Sequence, residues 1–186
     1  MLYLIRHGET PWSASGKHTG VTDVPLTPQG EKEAERLGAY LAHISFTRVF
    51  TSPAKRAKET CRIAGCDAQA TISPGLLEWD YGRYEGKTSE EIHRETPGWT
   101  IFTQGAPEGE SIADACARAD GVLRKLAGIE GPVALFSSGH ILRLITMRWL
   151  GLPPALGDRF PLQSGSLSLL GKEKGQNALL LWNMRP

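Results

Sequence analysis

The order of apolar and polar positions divides the chain into alternating strand-like and helix-like stretches. Leu2-Tyr3-Leu4-Ile5 is a continuous apolar run that meets Arg6-His7-Gly8, which predicts a buried strand ending in a turn. Residues 16–28, rich in Gly, Thr, Ser and Pro, read as a structured loop over that strand end. Thr27-Pro28 supplies an N-cap and first-turn pair, after which Ala34, Leu37, Gly38 and Leu41 recur at helical spacing opposite Glu31, Lys32, Glu35 and Arg36. Val49-Phe50-Thr51 is a short strand, and Ser52-Pro53 is expected to open a second helix running to about Ala64.

Residues 74–110 break the rhythm: Trp79, Tyr81, Tyr84, Trp99 and Phe102 stand among Gly and Pro, with one short helix expected near Ser89–Glu95. This excursion is expected to cover the sheet edge. Ser111 with Asp114 resembles a capping box, and Ile112, Ala115, Ala119, Val122, Leu123 and Leu126 form a helical stripe ended by Gly128. Pro132–Phe136 is a run suited to a parallel strand buried on both faces, and it leads into Ser137-Ser138-Gly139-His140. Ile141–Leu150 is apolar nearly all round, hence a buried helix closed by Gly151, and residues 167–170 and 178–182 read as a closing hairpin.

This order predicts one domain over residues 1–186: an α/β three-layer sandwich, its central sheet mostly parallel with an antiparallel edge, helices on both faces. Ligands of such sheets sit at the carboxyl ends of strands, so three junctions, at His7, Ser52 and His140, are expected on one edge.

Composition narrows the partners. The 21 basic and 20 acidic residues nearly cancel, so no large basic field argues for nucleic acid or an anionic membrane surface. No apolar run approaches a membrane span of about 18 residues. Cys61, Cys66 and Cys116 are odd in number and lack a C-x-x-C pair, which reads as reduced, small core residues of a cytoplasmic protein. A homodimer is compatible with the sequence but not specified by it.

The chemistry concentrates at the junctions. A guanidinium beside an imidazole suits phosphate: Arg6 offers a planar fork of donors and a neutral His7 a nucleophilic nitrogen. Arg56 falls in the first turn of a helix, where a cation opposes the dipole; an anion bound against that N-terminus would account for it, and a solvated surface arginine is the alternative. Gly86-Lys87-Thr88 lacks the earlier glycine of a P-loop, whose place is taken by Tyr81. No G-x-S-x-G occurs, and no Cys is followed by five residues and Arg, which removes serine-hydrolase and thiol-phosphatase chemistry. His18, His43 and His93 make no metal-binding pattern, although His18 lies in the loop over the first strand. Arg143, three residues past His140 on a helix, either meets a second anionic group or pairs with a buried carboxylate, and the structural role is the expected one.

Arg6-His7-Gly8-Glu9-Thr10, then Ser52-Pro53 with Arg56-Ala57 and Thr60, Glu78 within residues 77–86, and Gly139-His140 together resemble the histidine phosphatase superfamily, also called the phosphoglycerate mutase-like family. The resemblance implies a phosphohistidine mechanism without metal or cofactor. In it His7 attacks phosphorus, Arg6, Arg56 and His140 bind the phosphoryl oxygens, and Glu78 protonates the leaving oxygen and later activates water. Spacing alone leaves Asp80 and Glu85 as competitors for the acid, which is expected beside apolar walls such as Trp79. Residues 12–16, 18–23, 78–82 and 139–143 are further similar to a subgroup of broad acid phosphatases and sugar bisphosphatases, the fungal sedoheptulose-bisphosphatase type among them. Ser13, Thr19 and Gly20 would then assist phosphate binding, although Ser13 stands where many members carry Asn and offers one donor of shorter reach. The implied function is metal-independent hydrolysis of a small phosphate ester, a sugar phosphate or similar. A cofactor-dependent phosphoglycerate mutase is the alternative, disfavoured because the segment from Gly86 to Ser111 is short and lacks paired arginines for a carboxylate. A non-catalytic phosphate-sensing protein on the same fold is the further alternative.

Overall fold

A computed structural model describes all 186 residues. The elements run β1 (Leu2–Arg6), α1 (Pro11–Ala14), α2 (Pro28–Leu41), β2 (Arg48–Thr51), α3 (Lys55–Ile63), β3 (Ala70–Ile72), α4 (Ser89–Glu95), α5 (Ile101–Gln104), α6 (Ile112–Leu126), β4 (Val133–Ser137), α7 (Gly139–Leu150), β5 (Leu167–Glu173) and β6 (Gln176–Met184). One six-stranded sheet has the order β3-β2-β4-β1-β5-β6. The first four of these pair in parallel, while β5 and β6 are antiparallel. This is the mixed sheet expected from the sequence. No helix is long and apolar enough to cross a membrane.

Alternation along the central strands divides the core in two. Leu2 and Leu4 of β1 and Val133 and Leu135 of β4 join a cluster with α6 and α7, whereas Tyr3, Ile5, Ala134 and Phe136 face Leu37 and Leu41 of α2 and Cys61 of α3. Successive side chains of a strand point to opposite faces, so a run apolar at every position marks a strand covered on both sides. Thr27 caps α2 as expected, its hydroxyl accepting from the Gly30 amide at 3.0 Å, with Pro28 at the first helical position. Gly151 closes α7 in the left-handed region.

Two expectations require correction. The helix after β2 begins at Lys55, not at Ser52-Pro53; Ser52 turns its hydroxyl to the Ala54 amide, and the capping acceptor comes from elsewhere, Asp23 Oδ1 taking the Lys55 N–H at 2.6 Å. The excursion is core, not edge cover: Leu76, Trp79, Tyr81, Tyr84, Ile92, Trp99 and Phe102 are buried in the cluster that holds α6 and α7. The edge on that side is β3, three residues that carry no readable periodicity. Likewise α1 and α5 are single turns, too short for a 3.6-residue repeat to register.

Candidate active site

The parallel register brings the junctions together. Arg6 pairs with Ser137 and Thr51 with Phe136, so the chain leaves β1, β4 and β2 side by side at their carboxyl ends. The residue beside His7 in this register is Ser138, the N-cap of α7, and not His140. His140 lies in the helix's first turn, two residues past the cap, so the expected strand-end histidine is a helix-start histidine.

His7 is 4% exposed, and its Nδ1 lies 2.8 Å from the Gly8 carbonyl oxygen. A carbonyl only accepts, so Nδ1 carries the hydrogen and Nε2 keeps its lone pair. Burial, then Arg56 and Arg6, hold the imidazole pKa well below its usual value, so the ring is neutral. Only Arg6 Nε and Trp149 Nε1 are buried side-chain polar atoms without a partner. His7 Nε2, which also has none, therefore opens to the cavity. The turn that carries the ring is held by Thr60 Oγ1, which accepts from the Gly8 amide at 3.0 Å and donates to the Arg56 carbonyl at 2.7 Å. It is also wedged against α2: a Cβ on Gly8 would strike the Gly30 carbonyl, and one on Gly30 would strike the backbone of Glu9.

A cavity of about 80 Å³ opens above this ring, lined by Arg6, Ser13, Thr19, Glu78, Tyr81 and His140 among others, with Lys17, His18 and Arg143 also on its wall. Arg6 hydrogen-bonds the Leu162 carbonyl through Nη1 and packs across Gly139. Ser13 lines the cavity, but its hydroxyl serves α1: it accepts from the Thr10 amide at 2.8 Å and donates to the Thr10 carbonyl at 3.1 Å. Thr19 contributes to the wall, while its carbonyl accepts from Arg56.

Arg56 and Gly20 are both engaged by the protein's own groups. Arg56 is fully buried and donates to the carbonyls of Thr19, Gly20 and Thr22 at 2.9 to 3.1 Å, with Nε 3.4 Å from Ser138 Oγ. It binds the loop that roofs the site, and its charge lies near enough to His7 to help lower that ring's pKa. The anion that its position in the helix calls for is Asp23, seated at the α3 N-terminus by the same loop. Gly20 gives its amide to the Glu85 carboxylate at 2.9 and 3.0 Å, and a Cβ there would strike the Trp79 carbonyl. Glu85 also accepts from the Thr22 amide, and Asp80 accepts from Gly82, so of the three carboxylates left open by spacing Glu78 alone lines the cavity.

The surroundings of Glu78 are polar where apolar walls were expected. Its carboxylate accepts from the amides of His140 and Ile141 in the first turn of α7, at 2.9 and 2.8 Å, and from Trp79 at 2.9 Å. The Trp79 ring instead packs edge-on against Phe102 and donates Nε1 to the Glu110 carbonyl. Arg118 of α6 fixes the segment from behind, paired in bidentate fashion with Glu110 at 2.6 and 2.7 Å and donating to the carbonyls of Gly75 and Leu77. Arg143 pairs with no buried carboxylate: Nε donates to the Gly157 carbonyl at 2.8 Å, a second guanidinium nitrogen lies 3.9 Å from the exposed Asp158, and the group lies 4.9 Å from the Phe102 ring centroid while reaching the cavity wall. His18 stacks on Tyr81 at 4.8 Å between centroids, and burial lowers its pKa to about 4. No group of three or more His, Cys, Asp or Glu side chains is arranged to hold a metal ion.

Arg118 goes unmarked in the sequence, and the supporting roles of Asp23, Tyr81 and Glu85 are not among the expectations for the motifs that contain them. Each acts on a segment far away in sequence, so its partner is not readable from the residues around it.

With this geometry, residues 2–185 match the histidine phosphatase superfamily, branch 1. The chain belongs to that superfamily. An acid phosphatase of Mycobacterium tuberculosis is 40% identical over 96% of this chain and 89% of its own length. Sedoheptulose 1,7-bisphosphatase of Saccharomyces cerevisiae is 33% identical over 80% of this chain and 67% of its own length. Proteins called probable phosphoglycerate mutases also match, that of Cronobacter sakazakii at 30% identity over 90% of this chain and 82% of its own length. Among solved structures, the product of a Mycobacterium tuberculosis open reading frame superposes with a TM-score of 0.95 and 38% identity, covering 99% of this chain and 97% of the other.

Proposed function

We propose that the protein hydrolyses small phosphate monoesters in two in-line transfers at His7. In the first, His7 Nε2 bonds to phosphorus, the ester P–O bond breaks, and Glu78 gives a proton to the leaving alcohol oxygen. In the second, water attacks phosphorus, its proton passes to Glu78, the N–P bond breaks and inorganic phosphate leaves. Phosphoryl transfer needs positioning and charge neutralisation more than covalent assistance, which Arg6 and an N–H of His140 supply on this reading.

The observation that carries the reading is the His7 ring: neutral, its hydrogen committed to Gly8, and its free nitrogen facing a cavity lined by two arginines, two further histidines and one carboxylate. The carboxylate is aimed by backbone N–H groups of the same turn that presents His140, so acid and phosphate ligand move as one unit. Lys17 and Arg143 on the wall favour an ester with a second anionic group, in keeping with a relative named for a sugar bisphosphate. The three cysteines, all unpaired, suit a reducing compartment, and we place the protein in the cytoplasm.

Brief incubation with a ³²P-labelled ester followed by an alkaline quench is expected to trap an acid-labile phosphoprotein, and the His7→Ala protein to trap none. With phosphatase activity established, a chelator should leave the rate unchanged and vanadate should inhibit. Loss of activity restored by a divalent ion would count against this mechanism. Supplying 3-phosphoglycerate with bisphosphoglycerate separates the two enzyme readings. Phosphate release with negligible 2-phosphoglycerate is expected, and efficient isomerisation would make the protein a mutase.

A further inference from the structure

His140 lines the cavity with Nε2 unbonded and not sealed from it, while Nδ1 meets the hydroxyl of Tyr81, a residue 59 positions earlier in the excursion. We propose that Tyr81 is a positioning residue: its hydroxyl donates to His140 Nδ1 and so fixes the ring as the Nε2–H tautomer, with that hydrogen directed at the phosphoryl oxygens.

The direction of the bond follows from what else each group touches. The Tyr81 hydroxyl has no other partner, so His140 Nδ1 is the acceptor available to its hydrogen. The reverse arrangement, with Nδ1–H donating to the phenol oxygen, would leave that hydroxyl hydrogen without a protein acceptor and turn the Nε2 lone pair toward phosphate oxygens. Neither costs little in a buried site.

Electrostatics agree. Burial, and then Glu78, hold the Tyr81 pKa well above that of a free phenol, so it keeps its hydrogen. His140 is faced by Arg143 on its own helix, His18 from the roofing loop and Arg6 of β1, which with burial hold its pKa well below the usual value. Phe102 adds an edge contact at 5.3 Å, and the nearby carboxylate, Glu78, binds the backbone N–H of His140 and not its ring. The ring is neutral, and a neutral imidazole donates from whichever nitrogen its partner leaves protonated. His7 is held in the opposite tautomer by the Gly8 carbonyl. The cavity therefore receives one imidazole that presents a lone pair and one that presents a hydrogen.

The test begins with the resting protein, so it does not depend on the phosphatase reading. Two-dimensional ¹⁵N–¹H spectra of the histidine rings should assign His140 as the Nε2–H form in the wild type and as a mixture of tautomers in Tyr81→Phe. A wild-type Nδ1–H form, or a tautomer unmoved by the substitution, would overturn the proposal. The kinetic consequence rests on the phosphatase reading: in Tyr81→Phe, kcat should fall about tenfold or more near neutrality, because much of the protein holds the wrong tautomer. The deficit should shrink as pH falls, since an imidazolium donates from both nitrogens. In His140→Gln, whose amide supplies an N–H without tautomers, adding Tyr81→Phe should change kcat little. A structural tyrosine would instead lower kcat equally at every pH and in both backgrounds.

Discussion

The turn after β1 and the turn after β4 each present a histidine to the same cavity, but they are built differently. At the first, the ring is oriented by the carbonyl of the very next residue, and Gly8 is held by Thr60 within the α3 motif. At the second, the helix start is gripped by Glu78 and the ring by Tyr81, both delivered by the excursion. One half of the site is written in contiguous residues. The other half exists only when residues 74–110 are packed, so damage to that segment should reach the site without touching His7.

The largest effect should come from the first turn. His7→Ala is expected to lower kcat by about 10⁴-fold or more, with little change in thermal midpoint, since a strand-end turn carries little of the core. Substantial turnover by that variant would remove His7 as nucleophile.

Glu78→Gln probes the second turn and should cost about 10²- to 10³-fold on alkyl phosphates, but much less on p-nitrophenyl phosphate, whose leaving group is stable without a proton. Equal losses on both would mean that the carboxylate merely holds α7.

Arg118→Met sharpens the contrast, because Arg118 supports only the second turn. Leaving the half-buried Glu110 carboxylate and two carbonyls without this partner should lower unfolding free energy by about 2 to 3 kcal/mol, read as a lower urea midpoint, and reduce kcat severalfold. Arg118→Lys should not restore it, since an ammonium lacks the two-pronged geometry. If kcat stays intact while stability falls, the clamp does not position Glu78.

The smallest effect concerns His18, which roofs the second histidine. Its folded pKa of about 4 lies below the unfolded value of about 6.5, so the unfolded chain takes the proton first on acidification. The associated stability is present above about pH 6.5 and is lost as pH falls toward 4, by about 2 kcal/mol after allowance for the ring's partial exposure. Unfolding free energies at pH 7 and pH 4.5 should therefore differ less in His18→Gln than in the wild type by that amount, and identical differences would show that the ring is not desolvated.

What could be read in advance follows the same division. The strands of the parallel core, the caps of α2, and Arg6-His7 are local signals, each contained in a few residues. Arg56 is legible as an anomaly, a cation at a helix start, but its answer is Asp23, which bonds the adjacent Lys55 amide from 32 residues away and becomes visible only when the loop folds back. The excursion's aromatics have no period, so which of them fill the core with α6 and α7, and that Tyr81 meets His140, cannot be assigned from the sequence. Gly20 was read by its place in a motif, while its role is steric: the loop passes too close to Trp79 for a side chain.

The backbone joint between Gly8 and Gly30 has a consequence for mutational scanning. Neither position tolerates a methyl group without displacing the other strand of the joint. Gly30 should therefore score as intolerant as a catalytic position, although it carries no functional group and sits inside a helix. Its damage would resemble that of a lost nucleophile, because the cheapest way to relieve the clash is to push the His7 turn out of line. Substituting both glycines should be no better than substituting one, a pattern of saturating loss that separates a mechanical joint from two independent contributions.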